Sequence, residues 1–149
     1  MLFRSDAAYT YEVWAYPLSS ATAGTLIGEW SNGTFNSGWT DAQMGFNTTR
    51  INAGYYNGGA VTGPTWTVNT WYHILFTYAS SVGTLYVNAA SQGTTNVAKS
   101  NPGGTFLSLG KDDNSNGIYL GGVRNYFNGY VGSFRIYNRA LNSTEVTQN

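Results

Sequence analysis

Apolar and polar residues alternate along short stretches of this chain, and clusters of Gly, Asn, Ser and Pro separate the stretches. The clearest alternation runs from Trp71 to Ala89. One face of its first half carries Tyr72, Ile74, Phe76 and Tyr78, and the opposite face carries Trp71, His73, Leu75 and Thr77. A period of two is that of a β-strand whose two faces have different surroundings. With a turn at Ser80–Gly83, this stretch predicts an antiparallel hairpin.

Other stretches of the same kind predict further strands. They are Tyr9–Tyr16, Thr25–Trp30, Ala42–Phe46, Arg50–Tyr56, Thr105–Lys111 and Ile118–Leu120. The Gly- and Pro-containing segment Asn57–Pro64 is assigned to a connection. Many short strands between turn clusters are typical of a sandwich or barrel, so the chain is predicted to be all-β.

The last predicted strand, Tyr126–Tyr137, has an irregular alternation. Val131 and Phe134 both have the character of core residues, yet they are an odd number of positions apart. A β-bulge at Gly132–Ser133 restores the register, because one extra residue reverses the alternation and glycine suits such a position.

One short helix is predicted at the C-terminal end. Asn142 is placed to cap a helix over Ser143–Gln148, and Glu145 is placed to complete a capping box with it.

Composition supports an ordered β-domain and narrows the partners. The chain has 19 Gly, 12 Tyr and 5 Trp, no Cys, only 9% charged residues and a net charge of zero. Aromatic residues suit pleated surfaces and Gly suits turns. The absence of a basic surface disfavours nucleic acid as a partner, and the absence of Cys excludes disulfides and thiolate metal sites.

Length and continuity indicate one domain. The 149 residues contain neither a repeat nor a linker, so residues 1–149 are predicted to form a single domain. No apolar run approaches the length of about 18 residues that a membrane span needs. Met1–Asp6 is too short for a signal peptide, and we expect the domain to have been excised from a longer chain.

Three segments resemble the laminin-G-like domains of the concanavalin A-like lectin and glucanase superfamily. They are Tyr9–Pro17, Asn69–Asn88 with its Trp-Tyr-His strand and Leu-Tyr-Val-Asn return strand, and Tyr126–Leu141 with its Arg-Ile-Tyr-Asn-Arg-Ala-Leu end. The resemblance covers essentially the whole chain. It implies an antiparallel two-sheet jelly-roll sandwich, with binding sites at a concave face or its loop rim. The tail Ala140–Asn149 is similar to that of such domains in phage, viral and microbial surface proteins.

The chain departs from the family pattern in three places. Gly132 and Ser133 stand where related proteins carry acidic residues, one of which helps to hold a structural calcium in related glucanases and lectins. Asn88–Ala89 replaces an Asn-Gly turn, which predicts a longer connection there. Met1–Ala8 stands where the family has a further strand.

The acidic residues do not form the pattern that glycan hydrolysis requires. Retaining glycanases hold two carboxylates about 5–5.5 Å apart. The acids of this chain are Asp6, Glu12, Glu29, Asp41, Asp112, Asp113 and Glu145, and no pair has the spacing of one strand face. The remaining possibility is that Glu12 and Glu29 come together across neighbouring strands. His73 is the single histidine, and it is predicted to be buried and structural. We therefore expect no enzyme.

A calcium loop is a further candidate. Asp112, Asn114 and Asn116 alternate before Gly117, like the first half of an oxygen-ligand calcium loop. Val123 occupies the position of the bidentate Glu, so the motif is not an EF-hand, and any bound Ca²⁺ would be held weakly. The alternative is a plain Asx-rich turn.

Candidate ligand-binding residues are aromatic and Asn side chains outside the alternating core stretches. They are Trp39, Tyr55, Tyr56, Asn57, Trp66, Tyr119 and Tyr126. Sugars stack on aromatic rings and accept hydrogen bonds from such loops. Packing within the core or a turn is the alternative for each residue. Loops rich in Tyr, Asn, Ser and Gly also serve protein recognition.

These observations favour a non-catalytic recognition module that binds glycan or another cell-surface ligand, within a larger secreted or virion surface protein. A structural module that binds neighbouring subunits of a virion or fibre is the second hypothesis. A degenerate glycanase is the third. An extracellular or virion-surface location is expected for all three.

Overall fold

The computed structural model describes residues 8–19, 24–30, 40–55, 59–96, 106–110 and 126–149. The elements are β1 (Ala8–Pro17), β2 (Gly24–Trp30), β3 (Thr40–Phe46), β4 (Arg50–Tyr55), β5 (Gly59–Thr65), β6 (Tyr72–Ala79), β7 (Val82–Val87), β8 (Ala90–Asn96), β9 (Phe106–Leu109), β10 (Gly129–Tyr137) and the helix α1 (Ser143–Gln148). Within this part of the chain, no helix is long and apolar enough to cross a membrane.

The strands form two five-stranded sheets. Sheet A has the order β10-β1-β6-β7-β8 and sheet B the order β5-β4-β3-β2-β9, and every pair of neighbouring strands is antiparallel. The predicted all-β, two-sheet antiparallel sandwich is confirmed. The segment predicted as a strand at Ile118–Leu120 lies outside the described residues.

The core lies between the sheets and follows the alternation of the sequence. On β1 the inward side chains are Tyr9, Tyr11, Val13 and Ala15, and on β6 they are Tyr72, Ile74, Phe76 and Tyr78. From sheet B the core receives Leu26, Ile27, Met44, Phe46, Ile51, Ala53, Val61 and Trp66. Burial of these apolar side chains is the main stabilising contribution to the fold.

The C-terminal segment covers one end of the outer face of sheet A. Leu141 and Val146 pack on Leu75, which faces away from the main core. The hydroxyl of Thr10 donates to the carbonyl of Arg139 at 2.9 Å and accepts from the Leu141 N–H at 3.0 Å. These contacts explain why β6 is buried on both faces along almost its whole length.

The helix begins as predicted. The Asn142 side chain accepts from the Glu145 N–H at 3.0 Å, and the Glu145 carboxylate accepts from the Asn142 N–H at 2.9 Å. The capping box is therefore confirmed. The two bonds satisfy backbone donors that a helix of this length leaves without intrahelical partners.

Both hairpins of sheet A turn over two residues. Ser80 and Ser81 join β6 to β7 with φ values of 50° and 64°, and Asn88 and Ala89 join β7 to β8 with values of 50° and 65°. Two successive left-handed residues are the geometry of a type I′ turn. The predicted longer connection after Asn88 is therefore wrong, because Ala89 adopts the left-handed conformation despite its side chain.

Two strands were not predicted, β5 and β8. Both are edge strands, and these edges of the two sheets lie next to each other. Edge strands tolerate proline and polar residues because one side of the backbone pairs with no neighbour. The Gly/Pro-containing segment Asn57–Pro64, assigned above to a connection, thus largely belongs to a strand.

The predicted bulge in the last strand is confirmed. Trp14 of β1 pairs with Ser133, whereas the next residue, Ala15, pairs with Val131. Gly132 is the extra residue. It lies on β10, the edge strand of sheet A, where bulges are common.

Candidate functional site

Within the described part of the chain, the outer face of sheet A is left open at the end that the C-terminal segment does not cover. Because β1 alternates, Glu12, Trp14 and Tyr16 point to this face while Val13 and Ala15 point into the core. Strand pairing sets Trp14 between His73 of β6 and Ser133 of β10.

An aromatic cleft of about 390 Å³ lies at this end of the sheet. It is lined by Trp14, Trp71, Gly132 and Ser133. The Trp71 ring is 44% exposed. A Cβ atom at Gly132 would lie 3.1 Å from both Cη2 and Cζ3 of Trp71, which is closer than ordinary van der Waals contact. The ring therefore rests against the backbone of the bulge, and it does so because residue 132 has no side chain.

Further aromatic rings continue from Trp71 across the ends of β1 and β10. The ring centroids of Trp71 and Tyr16 are 5.3 Å apart with an interplanar angle of 52°, and those of Tyr16 and Tyr130 are 5.9 Å apart with an angle of 37°. Tyr130 is 60% exposed. We call Trp71, Tyr16 and Tyr130 the aromatic row. Successive rings in it are tilted, so the row forms an uneven wall and no flat platform.

The other wall of the cleft is held rigidly. The Trp14 ring stacks on the His73 ring with a centroid distance of 4.6 Å and an angle of 12°. His73 is buried, and its Nε2 lies 3.1 Å from Oε1 of Glu12. The burial predicted for His73 is confirmed.

Glu12 lies at the centre of a hydrogen-bond network and is fully buried. Its Oε1 accepts from Nη1 of Arg135 at 2.8 Å, and its Oε2 accepts from the hydroxyl of Tyr137 at 2.6 Å. The negative charge of Glu12 raises the pKa of Arg135. Burial, followed by the hydrogen bond to Glu12, raises the pKa of Tyr137. A carboxylate with both oxygens bound in this way is suited to holding β1, β6 and β10 together.

The arrangement of Glu12 and Glu29 on neighbouring strands, which the sequence left open, is not observed. Glu12 lies on β1 in sheet A, whose neighbours are β10 and β6, whereas Glu29 lies on β2 in sheet B. The two residues are therefore not on neighbouring strands. Glu12 is also fully buried.

Most of the predicted ligand and metal residues fall outside the described part of the chain. These are Trp39, Tyr56, Asn57, Tyr119, Asp112, Asn114 and Asn116, together with the side chain of Tyr55. Tyr126 is described and is 64% exposed, next to a bridge between its backbone and Thr25. Tyr126 is not among the described residues that line the aromatic cleft.

Trp66, which was predicted as a ligand-binding residue, is instead part of the core. It is only 8% exposed and packs edge-on against Phe46 at a centroid distance of 5.0 Å. Its indole N–H donates to the carbonyl of Asn47 at 2.9 Å. With the ring covered and the N–H bound, Trp66 has no face for a ligand.

Sequence reasoning missed the residues of the cleft because it sought ligand contacts outside the alternating stretches. Trp14 and Tyr16 lie within such a stretch, and Trp71 begins another. The alternation did indicate that these rings point away from the core, since Trp71 falls on the opposite face from Tyr72 and Ile74. The alternation alone does not say which part of an outward face another segment covers.

The position at which the resemblance places a structural calcium carries no carboxylate in this chain. Gly132 has no side chain to act as a ligand and lies against the Trp71 ring, and Ser133 lines the cleft with an uncharged hydroxyl. Calcium prefers carboxylate and carbonyl oxygens. Across the described ranges, no group of three His, Cys, Asp or Glu side chains is arranged to hold a metal ion.

Two antiparallel sheets around one core, with an open outer face and a bulged edge strand, define a concanavalin A-like sandwich. The family described as Laminin_G_3, of the Concanavalin A-like lectin/glucanases superfamily, matches residues 2–147. The chain belongs to this family, and the resemblance seen in the sequence is confirmed.

Solved structures share the fold at low sequence identity. Trypanosoma rangeli sialidase has 17% identity and a TM-score of 0.69, with 95% of this chain and 22% of the sialidase chain covered. A proposed carbohydrate binding protein from Bacteroides ovatus has 15% identity and a TM-score of 0.71, with 100% and 42% covered. A heptameric SAP-like pentraxin from Limulus polyphemus has 18% identity and a TM-score of 0.68, with 94% and 68% covered.

The chain thus spans 22% of the sialidase chain that it matches. A sequence comparison with curated proteins finds no match.

Proposed function

We propose that this chain is a non-catalytic recognition module that binds glycan through the aromatic cleft. The observation that carries the proposal is Trp71, a large ring that is 44% exposed and rests on the backbone of Gly132. Ligand sites are concave, mostly apolar and largely preformed, with volumes of about 300–1,000 Å³. The cleft matches this description in its volume and in its mostly apolar lining, which consists of two indole rings with the Ser133 hydroxyl beside them.

The buried acid network supports a binding role over catalysis. Glu12 is enclosed by His73, Arg135 and Tyr137, and its oxygens are occupied by hydrogen bonds. A catalytic carboxylate must reach the bond that it acts on. Glu12 instead fixes the strands that carry Trp14 and Ser133.

The setting that we propose is a larger surface or virion protein outside the cell. Sialidase and the Bacteroides ovatus protein contain this fold as part of a longer chain, which supports a role as one module among several. The predicted loop contacts at Trp39, Tyr56 and Tyr119 stay predictions. The calcium loop at Asp112, Asn114 and Asn116 stays a prediction, and a rise in melting temperature on adding Ca²⁺, reversed by EDTA, tests it.

A structural module is the second candidate, and one observation favours it. Apolar side chains at the same end of sheet A are exposed, among them Leu18 on the segment after β1 and Val131 on β10. Exposed apolar groups of this kind also mark protein interfaces. In that case the face would bind a neighbouring subunit and no glycan.

A glycan array probed with the wild-type chain and with Trp71→Ala separates the two candidates. We expect binding that the substitution abolishes, because the exposed ring face is lost. Leu109→Ala is the matched control, since Leu109 is 47% exposed on β9 of the other sheet. Tyr126→Ala tests the loop candidate in the same format. Silence of the wild-type chain across the array, with self-association in sedimentation, supports the structural module instead.

A further inference from the structure

The described residues that line the aromatic cleft carry no charge. The residues that line it contribute two indole rings, one glycine backbone and one hydroxyl. The charges nearest along the strands are Glu12 and Arg135, two residues before Trp14 and two after Ser133. They are paired at 2.8 Å, which leaves the network nearly neutral. A carboxylate or sulfate that contacted these indole rings would give up part of its hydration and would find no cationic partner among the described lining residues, which disfavours an anion.

The rings require a ligand with an apolar face. An indole ring gains most from flat contact with C–H groups, and hydroxyls pointing at it would lose their hydrogen bonds to water. A pyranose whose substituents are all equatorial directs its axial C–H bonds to the two faces and its hydroxyls to the rim. Such a sugar buries C–H groups on Trp71 while its hydroxyls stay in water.

The shape of the cleft favours one chain over either a chain end or a crystalline surface. The cleft lies open on the face of the sheet, so it does not enclose a terminal sugar. The rings of the aromatic row are inclined to one another by 52° and 37°, so they present no plane to a flat crystal face. The row continues past Trp71 through Tyr16 to Tyr130, which provides contact for more than one sugar unit.

We propose that the cleft binds a single chain of a neutral polysaccharide built from equatorially substituted, equatorially linked pyranoses, with one C–H face on Trp71. This inference rests on the proposed function and specifies its ligand. Gly132 is the residue that determines specificity, since it sets the height of the Trp71 ring above the strand. Its backbone is not in the left-handed region, so alanine is compatible with its conformation, and the new Cβ acts through its 3.1 Å approach to Trp71.

Isothermal titration with three soluble oligosaccharides tests the ligand class. Cellohexaose has the proposed chemistry, its C6-carboxylated counterpart adds charge, and maltohexaose has the same sugar units with an axial linkage that curves the chain. We expect cellohexaose to bind at least about tenfold more tightly than either of the others. Trp71→Ala is expected to abolish this binding, and Gly132→Ala to weaken it. Ser133→Ala, which removes only one hydroxyl from the same wall, is expected to weaken it less than Gly132→Ala.

The outcomes separate this inference from the proposed function. Tighter binding of the carboxylated or curved chain, still lost in Trp71→Ala, overturns the ligand class and leaves glycan binding by the cleft intact. Binding that survives Trp71→Ala overturns both. If no glycan binds and the chain self-associates in a way that Trp71→Ala removes, the face binds a second copy of the chain. That result also overturns both the ligand class and the proposed function. Unchanged circular dichroism spectra and melting temperatures within a few degrees show that the variants are folded.

Discussion

Replacing Tyr137 with phenylalanine tests the account of the buried acid network. The Tyr137 hydroxyl donates to Oε2 of Glu12 at 2.6 Å, and Glu12 is fully buried. Phenylalanine keeps the ring but removes the donor. Among the described side chains, Glu12 then keeps Arg135 and His73 as partners, and both contact its other oxygen.

The expected loss of stability is about 2 kcal/mol. A hydrogen bond to a charged group contributes about 1.5–3 kcal/mol, and a buried acceptor left without its donor costs a similar amount. Partial exposure of the Tyr137 ring lets water approach, which keeps the value within this range. For a domain of this length, about 2 kcal/mol corresponds to a fall of roughly 4–8 °C in melting temperature.

The pH dependence gives a second, independent readout. The pKa of Tyr137 is raised by burial and by the hydrogen bond to Glu12. A raised pKa means that folding favours the protonated phenol. Its contribution is therefore fully present below the unfolded value of about 10 and is lost as pH rises through the folded value. The stability difference between wild type and Tyr137→Phe is expected to be constant at neutral pH and to shrink above about pH 10.

Urea unfolding at pH 7 and at a series of alkaline pH values measures both effects. The matched control is Tyr130→Phe, a residue of the same strand that is 60% exposed, for which we expect a change within about 0.5 kcal/mol. Equal effects of the two substitutions, or a difference that does not change above pH 10, would refute the network as described.

Three further substitutions test other parts of the fold. Ala89→Gly is expected to stabilise the chain by about 1 kcal/mol in urea unfolding, because φ is 65° at Ala89. Leu141→Ala uncovers Leu75 and is expected to cost about 2–4 kcal/mol in the same assay. Glu145→Gln removes a carboxyl whose pKa is lowered by its hydrogen bonds to Arg139 and to the Asn142 backbone. The stability that the Glu145 carboxylate contributes is present above about pH 4.3 and is lost as pH falls through its lowered pKa. In an acid titration, the free energy of unfolding should therefore fall less in the variant than in the wild type. A loss of stability in Ala89→Gly would contradict the strain assigned to the turn. Unchanged stability in Leu141→Ala would contradict its packing on Leu75, and an unchanged loss of stability at acid pH in Glu145→Gln would contradict the hydrogen bonds of that carboxylate.

The sequence predicted the central strands because their two faces differ. In β1 and β6 the inward residues are continuously apolar, and this period of two leads directly to the sandwich. The bulge at Gly132 was readable for the same reason, since the alternation breaks there. The capping box at Asn142 and Glu145 depends on local spacing alone and was also predicted correctly.

The edges and the site were less accessible to sequence reasoning. Strand β8 is mostly exposed and polar, so it has no alternation to read. The turn at Ala89 was misjudged because the pairing of β7 with β8 imposes a left-handed conformation that alanine disfavours alone. The cleft depends on which part of an outward face the C-terminal segment covers. That contact joins residues about 130 positions apart, such as Thr10 and Leu141.

Saturation-transfer difference NMR with cellohexaose is the most direct test of the central claim that Trp71 and its neighbours form a glycan site. The account predicts the strongest saturation at the C–H protons of one pyranose face and its loss in Trp71→Ala, with Leu109→Ala unchanged. Absence of transfer to every glycan tested, or transfer that is the same in Trp71→Ala, would contradict it.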